Sequence, residues 1–167
     1  DALYSGMLVD TDNFVSKAGV RTFEAAAYLR RSGADVVRVR KMFREDMGNY
    51  KLRAEAVRSS EMYMDEFALA VCPTTGTGNP TVLGAQVANE LLDIQGVRAS
   101  FVLTELPDKI HVSARSLDNL NVQVIMEKIG GGGHINMAAT QLYDYTLDHA
   151  METVKALLKT MKEEGDI

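Results

Sequence analysis

One cysteine, three prolines and no tryptophan leave this chain of 167 residues with few of the devices that staple or kink small domains. A lone Cys72 cannot close an intramolecular disulfide, which favours a reducing compartment. It also has no Cys or His neighbour at zinc spacing, which argues against a cysteine-based metal site. No apolar run approaches the roughly 20 residues that cross a bilayer, and no basic-then-apolar signal stretch opens the chain. This segment is therefore expected to make no membrane contact. A basic surplus is lacking too: the formal net charge of −5 argues against generic binding to duplex nucleic acid, which depends on Lys and Arg displacing counterions. No serine stands in a nucleophile-elbow pattern.

What is present is an ordinary globular composition, 46% hydrophobic and 25% charged, in a length that suits one domain or one compact domain with the remnant of another. The charge is uneven. Between Arg21 and Arg58 there are ten basic and five acidic residues, and elsewhere eight basic and eighteen acidic. Solvated helix faces with intrahelical ion pairs account for such a stretch more readily than a surface for polyanions, although both readings stand. The opening Asp1 to Gly6 runs directly into the apolar Met7-Leu8-Val9, and reads as a cut in a longer chain.

Local patterns predict the elements. Met7 to Val9 reads as a buried segment whose polar end meets solvent at Asp10. A helix is expected over 22–31 with Thr22 as its cap and Gly33 as its stop, and a second, capped by Asp35, ends near Gly48. A longer, mostly exposed helix is expected from Asn49 to about Tyr63. Phe67 to Cys72 is a strand closed by Pro73 and a Thr/Gly-rich loop. A helix over 81–94 follows, then strands 97–106 and 110–114 around the turn Pro107-Asp108-Lys109. Residues 121–129 carry a helical apolar face that stops at four consecutive glycines, 138–142 form a strand, and 146–163 an amphipathic helix.

Three features could carry chemistry. Four adjacent glycines, Gly130 to Gly133, sacrifice backbone entropy, and their N–H groups could converge on an anion as a nest, with His134 adding a ring donor. The bland alternative is a flexible turn with a surface histidine. The strand before it ends in Arg115 and Ser116, a guanidinium that forks onto phosphate oxygens and a hydroxyl that donates or accepts. His111 shares the strand face of Arg115 and reads as structural. Asp10, with Asp12 nearby, offers a carboxylate to Mg²⁺ or Mn²⁺, but a two-metal site needs several more ligands than this stretch holds.

Together these residues resemble the DHH/DHHA1 phosphoesterase superfamily. Ala114-Arg115-Ser116, the helix Asn121 to Ile129, the Gly130 to His134 run and Ala138-Ala139 follow the DHHA1 signature in order, over about Phe67 to the C-terminus. Gly6 to Thr11 with Phe14, followed by Val20 to Ala26, is similar to the last motif of the DHH domain. Within the superfamily the pattern is most similar to membrane-anchored cyclic-di-AMP phosphodiesterases. The resemblance implies an α/β fold: a DHHA1-type domain with a central mixed sheet flanked by helices (66–167), a helical connector (48–65) and a mainly helical remnant of the DHH domain (1–47).

It further implies that Arg115, Ser116, Gly131, Gly132, Gly133 and His134 bind a substrate phosphate, and that Asp10 is one ligand of a paired Mn²⁺ centre. The motifs that supply the other metal ligands are absent from this sequence, so the chain by itself is expected to be inactive. The implied parent is a bacterial membrane-anchored hydrolase of which this is a cytoplasmic segment. Its implied partners are a cyclic dinucleotide or short oligonucleotide and the missing DHH catalytic domain, with a homodimer left open. Two other readings are a phosphoesterase acting on oligonucleotides or 3′-phosphoadenosine phosphate, and a non-catalytic nucleic-acid-binding DHHA1 module such as ends alanyl-tRNA synthetases.

Overall fold

Asp35 shows how local chemistry sets the elements here, because its carboxylate accepts hydrogen bonds from the backbone of Val37 and Arg38 and so starts a helix where the sequence expected one. The computed structural model describes residues 1–15, 17–117 and 119–167, and divides into two compact units, Asp1–Asp46 and Met47–Ile167. In the first unit, α1 (Ala2–Asp10), α2 (Val20–Arg31) and α3 (Val36–Met42) pack with little core. Its buried residues are Thr11, Ala26, Ala34 and Val39, while Val9, Phe23, Tyr28, Val37 and Phe43 are exposed.

Three expectations change in this unit, the first being that the helix begun by Asp35 ends at Met42 and not near Gly48. Met7 to Val9 lies within α1, which buries none of its residues. The helix α2 starts at Val20 with Gly19 as its cap, and Thr22 instead accepts a hydrogen bond from the Gly19 N–H at 3.2 Å.

The second unit begins with α4 (Met47–Arg58), β1 (Glu61–Tyr63), β2 (Phe67–Cys72) and α5 (Pro80–Leu91). The helix expected to reach Tyr63 ends five residues early, and Glu61 to Tyr63 folds back antiparallel onto Phe67 to Leu69. Met64 and Asp65 make the turn at positive φ, without the Gly or Asn that would announce it. Then come β3 (Ala99–Leu106), β4 (Lys109–Ser116), α6 (Val122–Glu127), β5 (Gly132–His134), β6 (Met137–Tyr143) and α7 (Leu147–Glu164).

The six strands form one mixed sheet in the order β1-β2-β3-β4-β6-β5, with β2 and β3 parallel around α5 and the other pairs antiparallel. Strand alternation sends side chains to two cores. Phe67, Phe101, Val112 and Ala114 pack with α6 and α7, and Ala68, Ala70, Cys72 and Val102 pack with α4 and α5.

Glu66 ties the layers together at the start of β2, pairing with Arg98 at 2.6 Å and with Lys162 of α7. Burial alone would raise its pKa, but the hydrogen bonds from Lys162 and Arg98 outweigh it and hold the carboxyl below its usual range. Burial pushes the Cys72 thiol up to about 11, which keeps it protonated and unreactive at neutral pH. Within the basic stretch Arg38 pairs with Asp1 and Asp35, Arg53 with Glu90, and Arg58 with Glu55. No helix among the described residues is long and apolar enough to cross a membrane.

Candidate functional site

The site is set by the register of β4, β6 and β5. Arg115 lies opposite Met137, and Met137 lies opposite His134, so the guanidinium and the imidazole flank one methionine in a single row across the sheet. Two strand spacings put their backbones roughly 10 Å apart, within reach of one anion held between two long side chains. One step along the strands, Ser113, Ala139 and Gly132 form the next row, with small or absent side chains. This is the α5 face of the sheet, because Arg115 Nε donates to Asn89 Oδ1 of α5 at 3.0 Å. The result is a shallow floor with a cation on one side and a histidine on the other.

Arg115 is held from two directions. Besides the Asn89 contact, its Nη1 donates to the Ala114 carbonyl at 2.9 Å. Nη2 has no protein partner among the described residues. Burial lowers the Arg115 pKa, and a guanidinium remains charged in any case. A side chain tethered in this way has already lost most of its rotamer freedom before a ligand arrives.

Ser116 does not join this face. Neighbouring strand residues point to opposite sides, and Ser116 is buried on the α6 side. Its Oγ donates to the Leu120 carbonyl at 2.6 Å and accepts from Asn136 Nδ2 at 3.3 Å. The hydroxyl therefore ties the end of β4 to the segment before α6 and to the β5–β6 turn, and is not free to meet a phosphate. Replacing Ser116 by alanine leaves buried partners unpaired and is expected to cost about 1–3 kcal/mol of stability. Urea unfolding measures it, and a loss of a few tenths would contradict this role.

The glycine run is likewise divided between tasks. Gly130, at φ +80°, donates its N–H to Glu127 O at 3.1 Å, and Gly131 donates to Met126 O at 2.8 Å, the pair of bonds that closes α6. Gly132 to His134 then forms β5, not a loop. The N–H groups of Gly130 and Gly131 are therefore spent on the helix end and are not available to a nest, and the rest of the run lies in the edge strand. A Cβ on Gly131 would meet the Ala139 carbonyl and Thr140, and a Cβ on Gly133 would meet the Met137 carbonyl and Ala138. A Cβ on Gly132 would meet nothing within 4 Å. Two glycines thus let β5 approach β6, and Gly132 leaves the floor open.

Asp10 ends α1 and is exposed, in the other unit. The helix dipole disfavours a carboxylate there unless a cation lies close by. Asp12, Asn13 and Phe14 follow at positive φ, a run of strained backbone of the kind found at functional sites. Among the described residues no group of three or more His, Cys, Asp or Glu side chains could hold a metal ion. Among the described residues Asp10 therefore stands without the further donors that a Mn²⁺ site needs.

Alternation along β4 had placed His111 with Arg115, but Asn89, Gln141 and Tyr143 were missed. Alternation along β6 carries the signal for the last two. A cavity of about 300 Å³ lies beside them, lined by His111, Gln141, Tyr143, Gly130 and Gly131 among others.

Comparison with known proteins agrees with this architecture. Residues 68–163 match the family model described as the DHHA1 domain. The chain is 50% identical over 89% of its length to cyclic-di-AMP phosphodiesterase PdeA of Listeria monocytogenes serotype 1/2a (strain 10403S), of which it covers 23%. It is 44% identical over 98% of its length to cyclic-di-AMP phosphodiesterase GdpP of Geobacillus thermodenitrificans (strain NG80-2), of which it covers 25%. It therefore spans about a quarter of the length of these relatives. An exopolyphosphatase-related protein from Bacteroides fragilis shares the fold, with a TM-score of 0.83 at 21% identity over 94% of this chain and 48% of that one.

Proposed function

Because this chain belongs to the DHHA1 domain family, we propose that its second unit grips a phosphate of a cyclic or linear adenine dinucleotide for a phosphodiesterase whose chemistry is completed by residues outside the chain. The observation that carries this reading is the row Arg115, Met137 and His134, in which a tethered guanidinium and a ring donor stand on either side of Met137, next to the open row of Ser113, Ala139 and Gly132. Identities of 44–50% to two cyclic-di-AMP phosphodiesterases support the substrate class.

The residues divide the work. Arg115 donates to the phosphate through Nη2, which is unpartnered among the described residues, and His134 donates from the other side. Gly132 keeps the floor low, Gly131 and Gly133 seat β5 so that His134 is presented, and Ser116 holds the strand end in place. Binding energy gathered here positions a reacting phosphodiester elsewhere on the substrate. Asp10 would supply one carboxylate toward a Mn²⁺ pair whose other ligands lie outside this chain, and such a pair would supply an activated water. With one ligand in this chain, hydrolysis by the chain alone is not expected.

Calorimetric titration with cyclic-di-AMP, its linear product pApA and a short oligonucleotide tests the reading. The dinucleotides are expected to bind more tightly than the longer oligonucleotide, and His134→Ala to weaken them about tenfold, as loss of one ligand hydrogen bond predicts. Equal affinity of wild type and variant would dismiss the assigned row. Tighter binding of the oligonucleotide would move the substrate class, and Mn²⁺-dependent hydrolysis by the pure chain would overturn the division of labour.

A further inference from the structure

The cavity beside the phosphate row has a different chemistry from the row itself. β5 pairs with β6 only from Met137 to Ala139, so beyond that point no strand among the described residues pairs with β6 on its outer side, and the cavity opens there against Gly130 and Gly131. His111 and Gln141 stand opposite each other across β4 and β6, and Lys109 stands opposite Tyr143. The Tyr143 hydroxyl donates to Gln141 Oε1 at 2.9 Å, which leaves the amide nitrogen of Gln141 with two hydrogens to give. The Tyr143 ring is exposed, with Lys109 Nζ 5.5 Å from its centre.

His111 Nδ1 is buried and has no hydrogen-bond partner among the described residues. An orphaned buried polar atom costs about 1–3 kcal/mol, which a ligand bound beside it would relieve. Burial, together with the charges of Lys109 and Arg115, lowers the His111 pKa and keeps the ring neutral. A neutral imidazole presents one donor and one acceptor, and beside it stand an amide and an aromatic face. That set complements the mixed donor and acceptor edge and the flat face of a heterocyclic base. Lys109 adds a cation at the rim, where it pairs with Asp108 at 3.8 Å, so the set carries less donor surplus than a second phosphate would require.

We infer that His111, Gln141 and Tyr143, set against Gly130 and Gly131, form a nucleobase subsite that takes the base of the nucleotide whose phosphate lies at Arg115 and His134. This rests on the nucleotide reading above and extends it from phosphate to base. The geometry suits one ligand spanning both places, because His111 and Arg115 lie on one strand face four residues apart, roughly 13 Å. Tyr143 provides stacking area and His111 the polar contact to the base edge. Both act on the base and neither on the phosphate.

The test compares pApA with an analogue in which one adenine is replaced by hydrogen, each titrated calorimetrically into the wild type, His111→Ala, Tyr143→Ala and Tyr143→Phe. The wild type is expected to bind pApA about tenfold more tightly than the abasic analogue. Tyr143→Ala and His111→Ala should remove that advantage and leave the affinity for the analogue unchanged, while Tyr143→Phe, which keeps the ring, retains most of it. Tyr143 is exposed, so its variants do not depend on refolding a core. Binding of pApA that needs Arg115 but is indifferent to His111 and Tyr143 would overturn the base subsite and leave the phosphate row standing. Equal loss for both ligands would also overturn it, and no binding of pApA at all would overturn both readings.

Discussion

Replacing Gly133 by alanine is expected to lower the stability of the chain by about 2–4 kcal/mol, while the same change one residue earlier, at Gly132, costs less than about 1 kcal/mol. The two positions share composition and neighbourhood but differ in space. At Gly133 the backbone has φ +149°, a conformation that L side chains rarely adopt, and an added methyl would press on the Met137 carbonyl and lie 2.6 Å from the Ala138 Cα. Those atoms belong to the β6 backbone, which cannot yield without breaking its pairing with β4. At Gly132 the added methyl meets open space, and φ is not positive. Urea unfolding of the two variants separates the cases, and equal stability would show that β5 does not pack on β6 as described. The same pair then reports on function, because Gly132→Ala raises the floor beneath the proposed phosphate and is expected to weaken dinucleotide binding in a protein that is still folded.

That contrast also shows what the sequence could and could not reveal. Four glycines in a row announce a constraint but not which kind, since an anion nest, a helix stop and a close strand crossing all select the same residue. The structure divides the run among the last two, and only the register with Ala138 and Ala139 discloses the division. The elements with regular apolar patterns were legible: Phe67 to Cys72, the hairpin around Pro107-Asp108-Lys109, and the terminal helix all lie where the pattern put them. The strand β1 was not legible, because three residues give no period and the turn at Met64 and Asp65 carries no typical turn residue. Met7 to Val9 misled for another reason. Apolar character implies burial only where something covers it, and in the described unit α1 leaves Val9 exposed.

For the site, strand alternation carries the signal. It requires that Arg115 and Ser116 face opposite ways, which removes the hydroxyl from the phosphate site. The same alternation joins His111 to Arg115 and, once β6 is paired, Gln141 and Tyr143 to both. What sequence could not supply was the register between β4, β6 and β5, and with it the Arg115, Met137, His134 row. Asn89 lay beyond reach for the same reason, 26 residues away and on a helix.

Arg115→Ala is expected to weaken pApA binding about 100-fold, or roughly 2.8 kcal/mol at 1.4 kcal/mol per factor of ten. The size follows from what the guanidinium has already given up. It is partly desolvated and tethered to Asn89 Oδ1 and the Ala114 carbonyl, so a phosphate that meets its free nitrogen gains a charge-assisted bond with little further ordering cost. Arg115→Lys keeps the charge but loses the planar fork that reaches Asn89 and the ligand together, and should recover only part of the loss. Asn89→Ala leaves the guanidinium in place with one tether fewer, so its effect is expected to be smaller than that of Arg115→Ala, as befits a positioning residue. Binding of adenosine, which has no phosphate, should be the same in all three variants. If Arg115→Lys matched the wild type, simple charge and not the tethered fork would hold the ligand. If Arg115→Ala also weakened adenosine, the guanidinium would be acting on the base and the phosphate would have to be placed elsewhere on the sheet.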